Sequence, residues 1–189
     1  RGARPWISGF IEFRRSLNDG AVFGSFTGYV GLFVIASILA LLFVLYLFAK
    51  SARNQWVLHV ALALVLAGAI GNLYDRAFII ADVVEIQHQG QRQSIIGKIV
   101  SEPGAPEVRI GEWPDGVDVK PPFLVEEVNI RRQGVVRDFI KFTPRFPQSF
   151  PLGGKDVWPW VFNIADASLV TGVIILLLTS IFERRPAEE

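Results

Sequence analysis

The chain has 189 residues, 51% of them hydrophobic, and its 19 Lys and Arg against 18 Asp and Glu leave a formal net charge of +1. That balance, with no basic stripe outside short flanks, argues against a nucleic-acid partner. The absence of cysteine excludes disulfides, thiol nucleophiles and cysteine metal sites together, and two histidines, His59 and His88, are too few and too far apart for a metal cluster, so neither metal nor cofactor is expected.

In chain order, residues 1–27 mix aromatic and apolar residues with charges (WISGFIEFRR), which suits a strand or amphipathic stretch at a membrane interface, and NDG at 18–20 is a turn signal. From Ala21 to Ala49 no charge occurs, and the centre of that block is apolar on every helical face. A hydrocarbon core about 30 Å thick needs roughly 20 such residues, so this is a transmembrane helix. A second apolar block, Trp56–Leu73, completes a transmembrane hairpin over 28–76, and a third spans 158–183. Lys50 and Arg53 in the tight loop, with Arg184 and Arg185 in the 184–189 tail, put those ends in the cytoplasm by the positive-inside rule; Arg14 and Arg15 lie before the first span, on the other side. The end of the second span and the start of the third then face the same outer side.

Between them, β-branched runs (VVEIQ, SIIGKIV, EVRIG, VDVK) broken by QHQGQ, EPGAP and WPDG predict a β-rich extracytoplasmic insert over 77–133. A loop over 134–157, expected to hold catalytic residues and irregular and Pro-constrained at FTPRFPQSFPLGG, precedes the last span. The expected fold class is therefore a membrane α-helical bundle, three transmembrane helices being present, with a small extracytoplasmic β-rich part. The chain opens on Arg and contains no Met, which predicts a further segment upstream of Arg1.

Three polar clusters interrupt this apolar pattern. Asp166 opens a run of sixteen uncharged residues; an ionisable group at that depth is expensive and is normally retained for a use, although a carboxylate also stabilises a helix N-terminus. Asn163 lies three residues earlier, on the same helical face. Asp138, in GVVRDFI, reads alone as a solvated aspartate at a strand end, but opposite Asp166 it would complete an aspartyl pair. Two carboxylates about 3 Å apart cannot both ionise, so such a pair can activate water as base while protonating a carbonyl as acid. In GNLYDR, Asn72, Asp75 and Arg76 share one helical face; the structural reading is an interfacial salt bridge, the functional one a clamp on substrate carbonyls or phosphate. Spacing leaves Asp75 open as a member of the pair.

Taken in order, NDGAVFGSF, GNLYDR, GVVRDF and WPWVFNIAD resemble the signature blocks of lipoprotein signal peptidase, the signal peptidase II family. The resemblance implies a four-helix membrane enzyme whose first helix precedes Arg1. It implies an aspartic endopeptidase that cleaves diacylglyceryl-modified prolipoproteins just before the lipid-modified cysteine, with Asp138 and Asp166 as the catalytic pair. Supporting positions fall on Asn18, Gly20, Asn72, Asp75, Arg76 and Asn163. It further implies contact with membrane lipid, inhibition by globomycin-type peptides, and a multi-pass location in the bacterial inner membrane with the active site outside the cytoplasm; a monomer suffices. The insert, and a lengthened loop between Phe139 and Trp158, depart from the family pattern.

Two other readings make different predictions. A non-enzymatic membrane protein whose insert binds a partner would keep Asp138 and Asp166 apart or separately salt-bridged. A transporter or proton relay built on Asp166, Asn163 and His59 would need polar residues through the depth of the spans, and the first span has none.

Overall fold

A computed structural model describes residues 3–19, 30–88, 91–117, 122–124 and 128–183. In chain order the elements are β1 (Arg4–Ile7), β2 (Ile11–Asn18), α1 (Val30–Lys50), α2 (Trp56–Phe78), β3 (Ile80–His88), β4 (Gln91–Ile99), β5 (Glu107–Val108), β6 (Ile110–Gly111), β7 (Phe123–Leu124), β8 (Val128–Gly134), β9 (Val136–Phe142), β10 (Val161–Phe162) and α3 (Ile164–Glu183). They divide into two compact units. One holds Arg1–Ser16, Val34–Leu73 and Arg137–Glu189; the other holds Leu17–Phe33 and Tyr74–Val136.

In the first unit, α2 and α3 are long and apolar enough to cross a bilayer, over Trp56–Phe78 and Ile164–Phe182. Their surfaces are those of helices dissolved in lipid: Val170, Ile174, Leu177, Leu178 and Ile181 of α3 all face outward. Association between such helices cannot rest on the hydrophobic effect, because lipid tails are as apolar as leucine, and small residues that let backbones approach take its place. On α2, a Cβ at Gly68 would run into the Ala165 carbonyl and Leu169, and one at Gly71 into Ala165; on α3, one at Gly172 would meet the Ala61 carbonyl at 2.7 Å. The two helices thus run antiparallel along a glycine seam. Val44, Leu62 and Val65, with Leu176 beside them, tie α1 into the same packing. At the tight end of the α1–α2 hairpin, Ser51 Oγ and His59 Nε2 share a 2.6 Å hydrogen bond.

The expected 1–27 segment is a hairpin over its described part, β1 pairing antiparallel with β2. These strands open a four-stranded sheet in the order β1-β2-β9-β10. The last helix begins at Ile164 rather than at Trp158. The apolar letters of WPWVF read equally as helix, but Pro159 interrupts them, Val161 and Phe162 pair with Lys141 and Ile140, and Asn163 caps the helix. Conversely, α2 continues past Leu73 to Phe78.

The second unit, Leu17–Phe33 with Tyr74–Val136, is built mainly of strands. Its sheet runs β6-β4-β3-β8, with β3 antiparallel to both β4 and β8, and β5 and β7 form a separate pair. Adjacent residues of a strand point to opposite faces, and both Val83 and Val84 are fully buried. Val83 packs with Ala81, Val135, Leu17 and Trp113, whereas Val84 packs with Val108, Ile110 and Phe123. The central strand is therefore covered on both sides, which is why VVEIQ reads as a continuous apolar run before it alternates. Gly134, ending β8, lies so close to the Arg76 carbonyl that any side chain there would collide with it.

Candidate active site

The N-terminus of α3 leaves backbone N–H groups without helical acceptors, and its sequence supplies them. Asn163, at the cap, accepts a hydrogen bond on Oδ1 from the Asp166 N–H at 3.0 Å. Asp166 Oδ2 in turn accepts from the Asn163 N–H at 3.1 Å. This is a reciprocal capping box with aspartate in the usual glutamate place, so the structural reading of Asp166 as a helix-terminus carboxylate is correct as far as one oxygen goes.

The other oxygen faces the neighbouring helix. Asn72 of α2 donates through Nδ2 to Asp166 Oδ1 at 2.7 Å. Asn163 donates its own amide both to Asn72 Oδ1, at 3.1 Å, and to Asp138 Oδ1 on β9, at 2.9 Å. Asp138 and Asn163 are buried, at 4% and 5% exposure. Four side chains from α2, β9 and the start of α3 thus form one hydrogen-bonded chain, Asp138–Asn163–Asn72–Asp166. The two carboxylates are joined through the amides of Asn163 and Asn72, whereas the non-enzymatic reading predicted that they would lie apart. Each carboxylate thus accepts an amide hydrogen bond, Asp166 from Asn72 and Asp138 from Asn163.

Asn18, Asp75 and Arg76 belong to the second unit. Asp75 is buried at the end of α2, and its carbonyl accepts the Ile79 N–H; Arg76 follows it on the helix, and Asn18 ends β2. Gly20 lies outside the described residues.

Two buried charges escaped the sequence reading. Asp19 is 3% exposed; its only sequence signal is the NDG turn. Lys141 is buried on β9, where its Nζ donates to Asp156 Oδ2 at 2.8 Å and to the Trp158 carbonyl at 2.6 Å. That hydrogen bond, reinforced by the charges of Lys141 and Arg145, holds the Asp156 carboxyl below its ordinary pKa despite partial desolvation. In the insert, an open cleft of about 340 Å³ is lined by Asp82, Lys98, Trp113 and Arg132 among others.

Known proteins place the chain as a whole. The sequence matches the family described as Signal peptidase (SPase) II over residues 2–182. A lipoprotein signal peptidase of Desulfitobacterium hafniense is 26% identical over 181 residues, covering 96% of this chain and 76% of the relative. One of Rhodopirellula baltica is 32% identical, covering 92% of this chain and 55% of the relative. Among solved structures, a bacterial membrane enzyme determined in meso at 2.3 Å superposes with a TM-score of 0.59 at 22% identity, over all of this chain and 76% of its own. A second, at 1.9 Å, gives a TM-score of 0.55 at 23% identity, over 94% and 74%. With a match running through nearly every residue and a shared membrane-enzyme fold, the chain belongs to the signal peptidase II family of membrane peptidases.

Proposed function

We propose that this protein is an aspartic endopeptidase of the bacterial inner membrane that removes signal peptides from diacylglyceryl-modified prolipoproteins, cleaving before the lipid-modified cysteine, with Asp138 and Asp166 as its catalytic carboxylates. The observation that carries this reading is the hydrogen-bonded chain linking the two aspartates through Asn163 and Asn72 at one end of the α2–α3 pair. In the reaction one carboxylate takes a proton from water as the water oxygen attacks the scissile carbonyl, and the other carboxyl gives a proton to the carbonyl oxygen. Collapse of the tetrahedral intermediate breaks the C–N bond, the amine leaves with a proton, and the new carboxylate belongs to the signal peptide. The amides of Asn72 and Asn163 keep the carboxylates in register throughout.

In this reading the active site opens on the extracytoplasmic side, with the 77–133 insert there and 184–189 in the cytoplasm. Asn18, Gly20, Asp75 and Arg76 support the substrate backbone or its phosphate-bearing lipid surroundings, and the protein acts as a monomer that globomycin-type peptides inhibit. The family membership, the apolar exposed faces of α3 and the polar cluster at the helix ends all support it.

The test is cleavage of a lipid-modified prolipoprotein by the reconstituted protein, followed by gel shift. Asp138→Asn and Asp166→Asn should each lower the rate by about 10²- to 10⁴-fold, the usual contribution of general acid–base catalysis, while keeping the parent's thermal unfolding midpoint within a few degrees. Parental activity in either variant would make that aspartate structural and bring Asp75 forward.

A further inference from the structure

Between β9 and β10 the chain builds a loop far more ordered than a connection needs. The Phe146 N–H donates to the Lys155 carbonyl at 2.9 Å, the Gly154 N–H returns to Phe146 at 3.0 Å, and the Val157 N–H bonds to Pro144 at 2.9 Å. Arg145 and Asp156 face each other as a bridge across this ladder. Its base is clamped by the buried Lys141 on Asp156 and on the Trp158 carbonyl. At the tip, Phe150 and Gly153 close successive turns onto Pro147 and Phe150. Gly154 has φ +76°, and a side chain on Gly153 would meet the Gln148 carbonyl at 2.8 Å.

This ordered frame presents its apolar side chains outward. Phe150 is 58% exposed, Leu152 48%, Trp158 44% and Trp160 43%. A chain that fixes large apolar groups on a rigid frame and leaves them outside its own core presents a contact surface. What covers it follows from continuity. Trp160 leads directly through β10 and the Asn163 cap into α3, whose outward apolar residues require lipid. The loop therefore stands at the mouth of a membrane span, the level at which tryptophan collects. Lys155 is exposed on the same loop and suits lipid phosphates, while Arg145, also exposed, pairs with Asp156 at 3.3 Å.

We infer that the 143–160 loop is a second, non-spanning membrane anchor, docked into the lipid leaflet at the N-terminal end of α3. Phe150 and Leu152 enter the headgroup–acyl boundary, to the depth of about 5–10 Å reached by interfacial elements. Trp158 and Trp160 lie at headgroup level, and Lys155 meets lipid phosphates. Because Lys141 and Asp138 share β9, the anchor steadies the strand that carries one of the buried carboxylates.

The cysteine-free chain allows a direct test. Leu152→Cys and, separately, Phe150→Cys are labelled with an environment-sensitive fluorophore, and the full chain is reconstituted one copy per phosphatidylcholine–phosphatidylglycerol nanodisc. Both labels should emit as in an apolar medium, be quenched by lipids carrying a shallow nitroxide, and be several-fold less accessible to aqueous iodide than free dye. Iodide access equal to free dye with no nitroxide quenching overturns the proposal. So does an apolar signal present only when copies are crowded, which would mean self-association. An apolar signal that appears only with added prolipoprotein also overturns it, since the surface would then serve substrate instead of the bilayer. The two labels fail independently, so a local folding defect at one position leaves the other to decide.

Discussion

Asn163 does two jobs with one side chain: its oxygen caps α3 and its amide donates to Asp138 and Asn72. Asn163→Ser separates them. Serine caps as well as asparagine to within a few tenths of a kcal/mol, but is too short to reach both acceptors. Hydrogen bonds to charged groups contribute about 1.5–3 kcal/mol, so prolipoprotein cleavage should fall at least about tenfold while thermal unfolding barely moves; loss of both together would show that the cap, not the amide, is what matters. At this scale the sequence was informative where a polar letter stood against an apolar ground. Asp166, Asn163 and Asn72 each interrupt a hydrophobic run, and Asp138 follows Arg137 within the otherwise apolar stretch VVRDFI. Lys141 was invisible because nothing near it marks burial. Its partners, Asp156 and Trp158, lie fifteen and seventeen residues on, and only the folding back of that loop brings them together.

The elements themselves divide by how much of their identity is local. Helix α1 is apolar too, over a shorter described stretch, Val34–Lys50; helices α2 and α3 follow largely from apolar length, which suits a bilayer. Where α3 begins does not, since WPWVF carries the same hydropathy in a strand as in a helix; the decision belongs to Pro159, to the pairing with β9 and to the cap. The glycine seam was legible only as composition until α2 and α3 were set side by side. Its energetics distinguish otherwise similar glycines. Gly68→Ala puts a methyl against an immovable carbonyl and should destabilise the protein by about 1–3 kcal/mol, the usual cost of overpacking. Gly31→Ala, in the first turn of α1 with open space around it, should change stability by less than about 0.5 kcal/mol, as an uncrowded substitution does. Thermal unfolding in one lipid mixture measures both, and a Gly68→Ala as stable as the parent would mean the seam opens freely.

Across the whole molecule the two units obey different solvents. The insert holds Val83, Val84, Ile110 and Val135 in a core sealed on both faces of β3, maintained by water; the helices are maintained by lipid and by close backbone contact. Urea weakens the first kind of burial far more than the second. Unfolding in lipid should therefore come in two steps, the insert melting first. Trp113 reports the insert, since it is that unit's single tryptophan and its indole N–H is bonded to the Ile80 carbonyl at 3.0 Å, while far-UV dichroism follows the helices. Coincident midpoints would show one cooperative structure instead. The strands of the 77–133 stretch were legible from β-branched runs and turn signals, and β3–β4 is a local hairpin, whereas the sheet order was not legible, because pairing β3 with β8 depends on contacts across forty or more residues.

The same glycine seam bears on how the protein meets membranes of unequal thickness. A pair of helices touching at a single point behaves like scissors: when a thinner bilayer forces more tilt, the blades rotate about the rivet and groups at their ends swing apart. Here α2 and α3 touch at two levels, Gly68 on Ala165 and Ala61 on Gly172, so rotation about either contact would break the other. Changes of tilt must be taken up by the pair as one body, and the spacing between Asn72 and Asp166 is insulated from the lipid composition in which the helices happen to lie.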